Sequence, residues 1–131
     1  MPCNYTIYRD KRLVVTTASE VLTFAEAMAH EDKIYSDPDF DPTFVHLIDA
    51  TGITQVDLTA SEISTLARRV RFSPKARKAL VVSTVLVFGL ARMYETYLQL
   101  SGKSEFVSVF KERREALTWL GITGDVEGSP R

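Results

Sequence analysis

The 131 residues suit one domain, and with 45% hydrophobic and 25% charged residues the chain can bury a proper core. A formal net charge of -1 gives no global field to draw nucleic acid or an anionic membrane. The single cysteine, Cys3, excludes an internal disulfide and fits a reducing compartment.

Residues 1–4 lead straight into alternating polar and apolar residues, so no signal peptide is expected. Residues 5–9 and 13–18, rich in Tyr, Ile, Val and Thr, flank the short charged break Asp10-Lys11-Arg12 and predict a β-hairpin. Thr23 and Glu26 then have the spacing of a capping box. Phe24, Ala27, Met28, Ile34 and Tyr35 recur near helical spacing, which predicts a helix over 24–36. Asp37-Pro38 and Asp41-Pro42 stop it, because the residue before a proline avoids helical angles.

The organising stretch comes next. Residues 44–48 are apolar except for His46 and read as a strand buried on both faces. Asp49, Gly52 and Asp57 follow, where open α/β sheets usually hold their sites. Asp49, Thr51, Asp57, Thr59 and Ser61 are expected to cluster there. Thr59 and Glu62 form a second capping box, with Leu58 and Ile63 placed for a hydrophobic staple. Ile63, Leu66, Ala67 and Val70 predict a helix near 60–71. Residues 79–83 read as another internal strand, and Ser83 or Thr84 can cap a helix near 85–100. Its expected buried stripe is Leu86, Leu90, Met93, Tyr94, Tyr97 and Leu98, and Ser101-Gly102 ends it. The uncharged apolar run over 79–91 is too short to span a bilayer. Residues 105–110 predict a last strand and 112–120 a last helix, and Gly121 to Arg131 reads as a frayed tail. The order β-β-α-β-α-β-α-β-α implies a mixed, mostly parallel sheet. Residues 1–121 are expected to form one α/β domain and 122–131 a flexible tail, in a soluble cytoplasmic protein.

Chemistry is sparser. Arg68, Arg69, Arg71, Lys75, Arg77 and Lys78 make a basic run, while Glu20, Glu26, Glu31, Asp32, Asp37, Asp39 and Asp41 outnumber Lys33 in residues 20–41. Such runs are ordinarily solvated; the sharper alternative is two complementary patches steering self-association, most simply as a homodimer. Phe72 is the one aromatic residue within the basic run, too few for an interleaved pattern, and the net charge is not positive, so nucleic acid is not expected. Asp37, Asp39 and Asp41 begin a calcium-loop spacing, but Pro42 and Ile48 stand where Gly and Glu are required. His46 should be a hydrogen-bonded core residue and His30 should sit on an acidic helix face. With Cys3, the two histidines have no zinc-ligand spacing. Neither a nucleophile elbow, a Walker loop nor a dinucleotide fingerprint occurs, so no catalytic residue, metal or cofactor is predicted. Gly89, inside a helix, implies close helix–sheet packing or approach of a ligand or second subunit. Arg92 can pair with Glu95 or hold a carboxylate or phosphate.

Arg12-Leu13-Val14-Val15, Val21-Leu22-Thr23, residues 37–42, Asp49-Ala50-Thr51-Gly52, Ser73-Pro74-Lys75-Ala76-Arg77 and residues 88–94 follow one another in a telling order. In that order they resemble the STAS domain of bacterial anti-sigma-factor antagonists, and more closely its SpoIIAA-like, STAS/SEC14-like branch. The resemblance implies a β-α superhelix and a non-catalytic regulatory or scaffolding module acting through protein contacts. In STAS regulators a phosphorylated Ser follows an acid after the third strand. Asp57 matches that acid, but Leu58 follows it and Thr59 comes one position late, so the conventional phospho-serine is missing. Asp57, Thr59 and Ser61 are therefore the partner-binding or phosphorylation candidates. Kinship to SEC14-type carriers implies, as the alternative, a small apolar, lipid-like ligand between sheet and helix. Its pocket candidates are Thr84, Phe88, Gly89, Arg92, Tyr94 and Tyr97.

Overall fold

The structure, a computed structural model, describes residues 3–124 and 126. Five strands, β1 (Cys3–Tyr8), β2 (Leu13–Thr23), β3 (Val45–Asp57), β4 (Lys78–Val81) and β5 (Val107–Phe110), form one sheet in that spatial order. β1 and β2 make the antiparallel hairpin; β2, β3, β4 and β5 are mutually parallel. The connections are the helices α1 (Phe24–Ser36), α2 (Ala60–Arg68) and α3 (Val85–Leu100), and α4 (Arg113–Leu120) closes the order.

The two-residue period of a strand divides the sheet residues between two cores. Val14, Ala18, Ala50, Leu80, Val82 and Val107 pack with Ile34 of α1, Ala67 of α2, and Val87, Ala91 and Leu98 of α3. Leu13, Val15, Leu47, Ala79 and Val81 face the other way, onto Ala116 and Leu120 of α4. Three helices therefore cover one face and one covers the other. The central run is flanked on both sides by parallel neighbours, with Leu47 aligned to Val15 and to Ala79.

Several expectations need correction. β3 does not end at 48. It continues to Asp57, paired with an equally extended β2 from Ser19↔Gly52 to Thr23↔Asp57, beyond the point where β4 stops opposite Asp49. Asp49, Gly52 and Asp57 looked like turn residues, but the neighbouring strand supplies a ladder that local propensity cannot foresee. The ladder shifts register between Thr17 and Ser19 and between Glu20 and Val21, where Glu20 takes a left-handed φ of 61°. Gly52 permits the close approach: a Cβ there would lie 3.0 Å from Ser19 Cβ and 3.4 Å from Ala18 O. In α3 the buried stripe is Val87, Ala91 and Leu98, whereas Leu86 is 62% exposed. Gly89 is not packed closely: a Cβ there would meet nothing within 4 Å. α2 stops at Arg68, short of the expected 71. The expected tail over 122–131 lies mostly outside the described residues; Ile122, within them, donates its N–H to Leu117 O and packs on the second core.

Candidate functional site

The face carrying α1, α2 and α3 does not pack solid. A partly open cavity of about 160 Å³ lies between the sheet and these helices. Its walls are mainly apolar: Ala18, Leu22, Ile48, Ala50, Ile53, Val56 and Leu80 from the sheet, Ile34 from α1, Ile63 and Leu66 from α2, and Val87, Leu90 and Ala91 from α3. The extended ends of β2 and β3 build one wall, which explains why their overrun past β4 matters.

Glu31 of α1 also lines the cavity, and the rest of the polar lining includes a connected chain. Lys78 Nζ is 2.7 Å from His46 Nδ1. His46 Nε2 is 2.8 Å from Thr16 Oγ1, and Thr16 Oγ1 is 2.9 Å from His30 Nε2. An ammonium can only donate. With Lys78 protonated, His46 accepts at Nδ1 and carries its proton on Nε2. Thr16 then accepts from His46 and donates to His30, which must keep its proton on Nδ1. Strand parity builds this row: Thr16, His46 and Lys78 lie on neighbouring strands and share the face of Val14, Ala50 and Leu80. α1 supplies His30 from above. The His46 ring stacks on Phe72 at 4.5 Å, and Lys78 Nζ lies 4.4 Å from the Phe72 ring centre.

Burial sets the protonation of this group. Lys78, 2% exposed, is lowered to about 7 by desolvation, against the opposing pull of the Glu31 carboxylate. Desolvation, then the charges of Lys33 and Lys78, lower His30 to about 4. His46 lies well below its ordinary value for the same first reason, reinforced by Lys78 and His30. Glu31 is raised to about 7 by burial, which outweighs its bond to Arg69 Nε at 3.1 Å. Cys3 also lines the cavity, and burial pushes its thiol up to about 11, with Glu26 adding to the effect, so it stays an unreactive thiol.

Of the residues singled out from sequence for a ligand, Tyr94 lines the cavity and the others stand elsewhere. Thr84 caps α3 by accepting from Val87 N–H at 3.2 Å. Phe88 lies under the Arg92 guanidinium, and Arg92 pairs with Glu95 at 2.8 Å. Tyr97 packs on the first core, and Gly89 is exposed. The cluster expected after the central strand is pulled apart by the length of β3. Asp49 binds Arg113 of α4 at 2.6 Å, while Asp57 lies eight residues further along the strand, on the order of 25 Å away. Asp57 accepts from Gln55 Nε2 at 3.0 Å. Thr59 is committed to a complete capping box: its hydroxyl accepts from Glu62 N–H at 3.1 Å and its own N–H donates to Glu62 Oε1 at 2.9 Å. Ser61 is exposed in the first turn of α2.

The charge patches meet inside the molecule. Arg69 binds Glu31 and Asp32 of α1, so part of their complementarity is satisfied within one chain. Arg68, Arg69 and Arg71 line a polar cleft of about 400 Å³ with Asp32 and Lys103. Lys78 leaves the surface run altogether. Its parity with Leu80 was the signal for that; its place at the end of a basic stretch hid it. His30 likewise faces Thr16 rather than an acidic surface, as the i+4 spacing from Glu26 to His30 to Ile34 allowed.

The class that this architecture defines is the SpoIIAA-like, STAS-type fold: four helices on a five-stranded, mostly parallel sheet. The particular likeness is to the crystal structure of an uncharacterized protein of the DUF3478 family, with a SpoIIAA-like fold, from Shewanella loihica PV-4. It aligns over 90% of this chain and 91% of that one, at 20% sequence identity and a TM-score of 0.58. No protein-family model matches the chain, and no curated protein does. Among the described residues no helix is long and apolar enough to cross a membrane.

Proposed function

We propose that this STAS-like module is a non-catalytic sensor or carrier of a small, mostly apolar molecule, held in the cavity with its polar end at the Lys78–His46–Thr16–His30 chain. The single observation that carries this reading is the meeting of that polar chain with a mainly apolar cavity, which Glu31 also lines. Ligand sites are usually apolar hollows with a few convergent polar groups. Size limits the ligand. A cavity of about 160 Å³ compares with the roughly 150 Å³ that holds a benzene ring, and falls short of the roughly 300 Å³ at which drug-sized pockets begin. One ring or a short chain fits wholly inside it.

Regulation through protein contacts at Asp57, Thr59 and Ser61 is the weaker reading. Phosphorylating Thr59 would dismantle its own cap, and Asp57 and Glu62 would repel the new charge. The test of the cavity reading is methyl NMR with benzyl alcohol as probe. Saturable shifts at Ile34, Ile53, Ile63 and Val87, lost when Ala91→Phe fills the space, are expected. Unmoved methyls at millimolar probe would refute it.

A further inference from the structure

We propose that Lys78 captures a small aldehyde covalently, as a reversible imine inside the cavity; this deepens the cavity reading and rests on it. Lys78 Nζ has one hydrogen-bond partner among the described residues, His46 Nδ1 at 2.7 Å, and one ring face, Phe72. An ammonium has three donors to satisfy. Burying it so sparsely favours the neutral amine, which is the nucleophilic form. The groups facing it are His46 on β3, Glu31 and His30 on α1, and Thr16 on β2 through His46.

The chemistry balances without a redox partner. The Nζ lone pair attacks the carbonyl carbon, a C–N bond forms, and the C=O π pair moves to oxygen, which takes a proton. Nitrogen releases protons as the carbinolamine forms and collapses. The hydroxyl leaves as water, and the C=N bond completes an imine with one water lost. His46 Nδ1 is placed to take a proton from nitrogen. As it does, the proton on Nε2 can pass to Thr16 and the hydroxyl proton of Thr16 to His30, so the charge moves from the interior toward half-exposed α1. The same row returns a proton to the departing hydroxyl. If the imine nitrogen is protonated, the Glu31 carboxylate is the nearby counter-charge.

The experiment is reductive trapping of the full chain with limiting butanal and sodium cyanoborohydride at pH 6.5, followed by peptide mapping. An ordinary lysine is then roughly one part in ten thousand neutral, whereas Lys78, lowered to about 7, is substantially so. Butyl labelling of Lys78 at least about tenfold above Lys11, Lys33, Lys75, Lys103 and Lys111 is expected. The N-terminal amine, an ordinary competitor, is scored separately. Labelling of Lys78 equal to or below the other lysines overturns the proposal. Benzyl alcohol binding with no Lys78 label overturns imine capture and leaves the cavity reading standing; neither binding nor label removes both. Because the wild-type protein is mapped, the result does not depend on a Lys78→Met variant folding.

Discussion

Thr16 is the hinge of the polar row, because its one hydroxyl serves two imidazoles at 2.8 and 2.9 Å. It can donate to one and accept from the other, and it is 4% exposed, so no bulk water replaces it. Thr16→Val keeps the shape and strips both partners of their bond. The expected cost is about 1–3 kcal/mol, read from urea unfolding, with His46 and His30 ring NMR signals shifted. An unchanged midpoint would mean that the row contributes nothing to stability. Thr59 has a different standing: it is exposed and serves the helix end alone. Thr59→Ala should cost about 1 kcal/mol, the usual loss for a helix cap, and leave the cavity methyl spectrum as it was.

At the scale of elements, the two interior glycines make opposite predictions. Gly52 sits where β2 and β3 cross closely, and a Cβ there would press on Ser19 Cβ at 3.0 Å. That atom is fixed to the backbone and cannot rotate away. Gly52→Ala should therefore pry the extended ladder apart, cost about 1–3 kcal/mol, and loosen the wall formed by Leu22, Ile53 and Val56. Gly89 lies in the interior of α3 with open space around it. Gly89→Ala should stabilise by about 0.5–1 kcal/mol, because it removes backbone entropy from the unfolded chain without a clash. Thermal unfolding of the two variants side by side checks both signs. Stabilisation by Gly52→Ala would contradict the close crossing.

For the whole molecule, buried titratable groups make stability depend on pH in distinct windows. Lys78 holds its proton to about 7 when folded and to the ordinary 10.5 when unfolded. Between these values the unfolded chain binds the extra proton, so stability rises with pH. Glu31 has the opposite sign and acts lower: raised to about 7 from 4.5, it lowers stability as pH climbs through that interval. His30, at about 4 against 6.5, moves by as much in the opposite sense and offsets Glu31 over most of that interval, and His46, also lowered by burial, adds to the offset. From about 9 upward Cys3, raised to about 11, begins to reverse the gain from Lys78. Urea midpoints should therefore increase between pH 7 and 9 in the wild type and stay flat in Lys78→Met. A wild-type midpoint that falls across this window would contradict a buried, neutral-leaning lysine.

The order of elements was legible in the residues themselves. The caps Thr23, Thr59 and Thr84, the stops at Pro38 and Gly102, and the apolar run around Leu47 act over a few residues, and short-range hydrogen bonds and sterics decide them. The parallel sheet followed, since alternating strands and helices have few ways to pack. The cavity and its polar row were decided only in three dimensions. Thr16, His30, His46 and Lys78 come from three strands and a helix, and each looks ordinary among its own neighbours. What makes them a site is strand register and the desolvation that packing imposes. The added length of β3 had the same origin: Asp49 to Asp57 reads as a turn-rich loop until β2 runs alongside and supplies the partners that its backbone lacks.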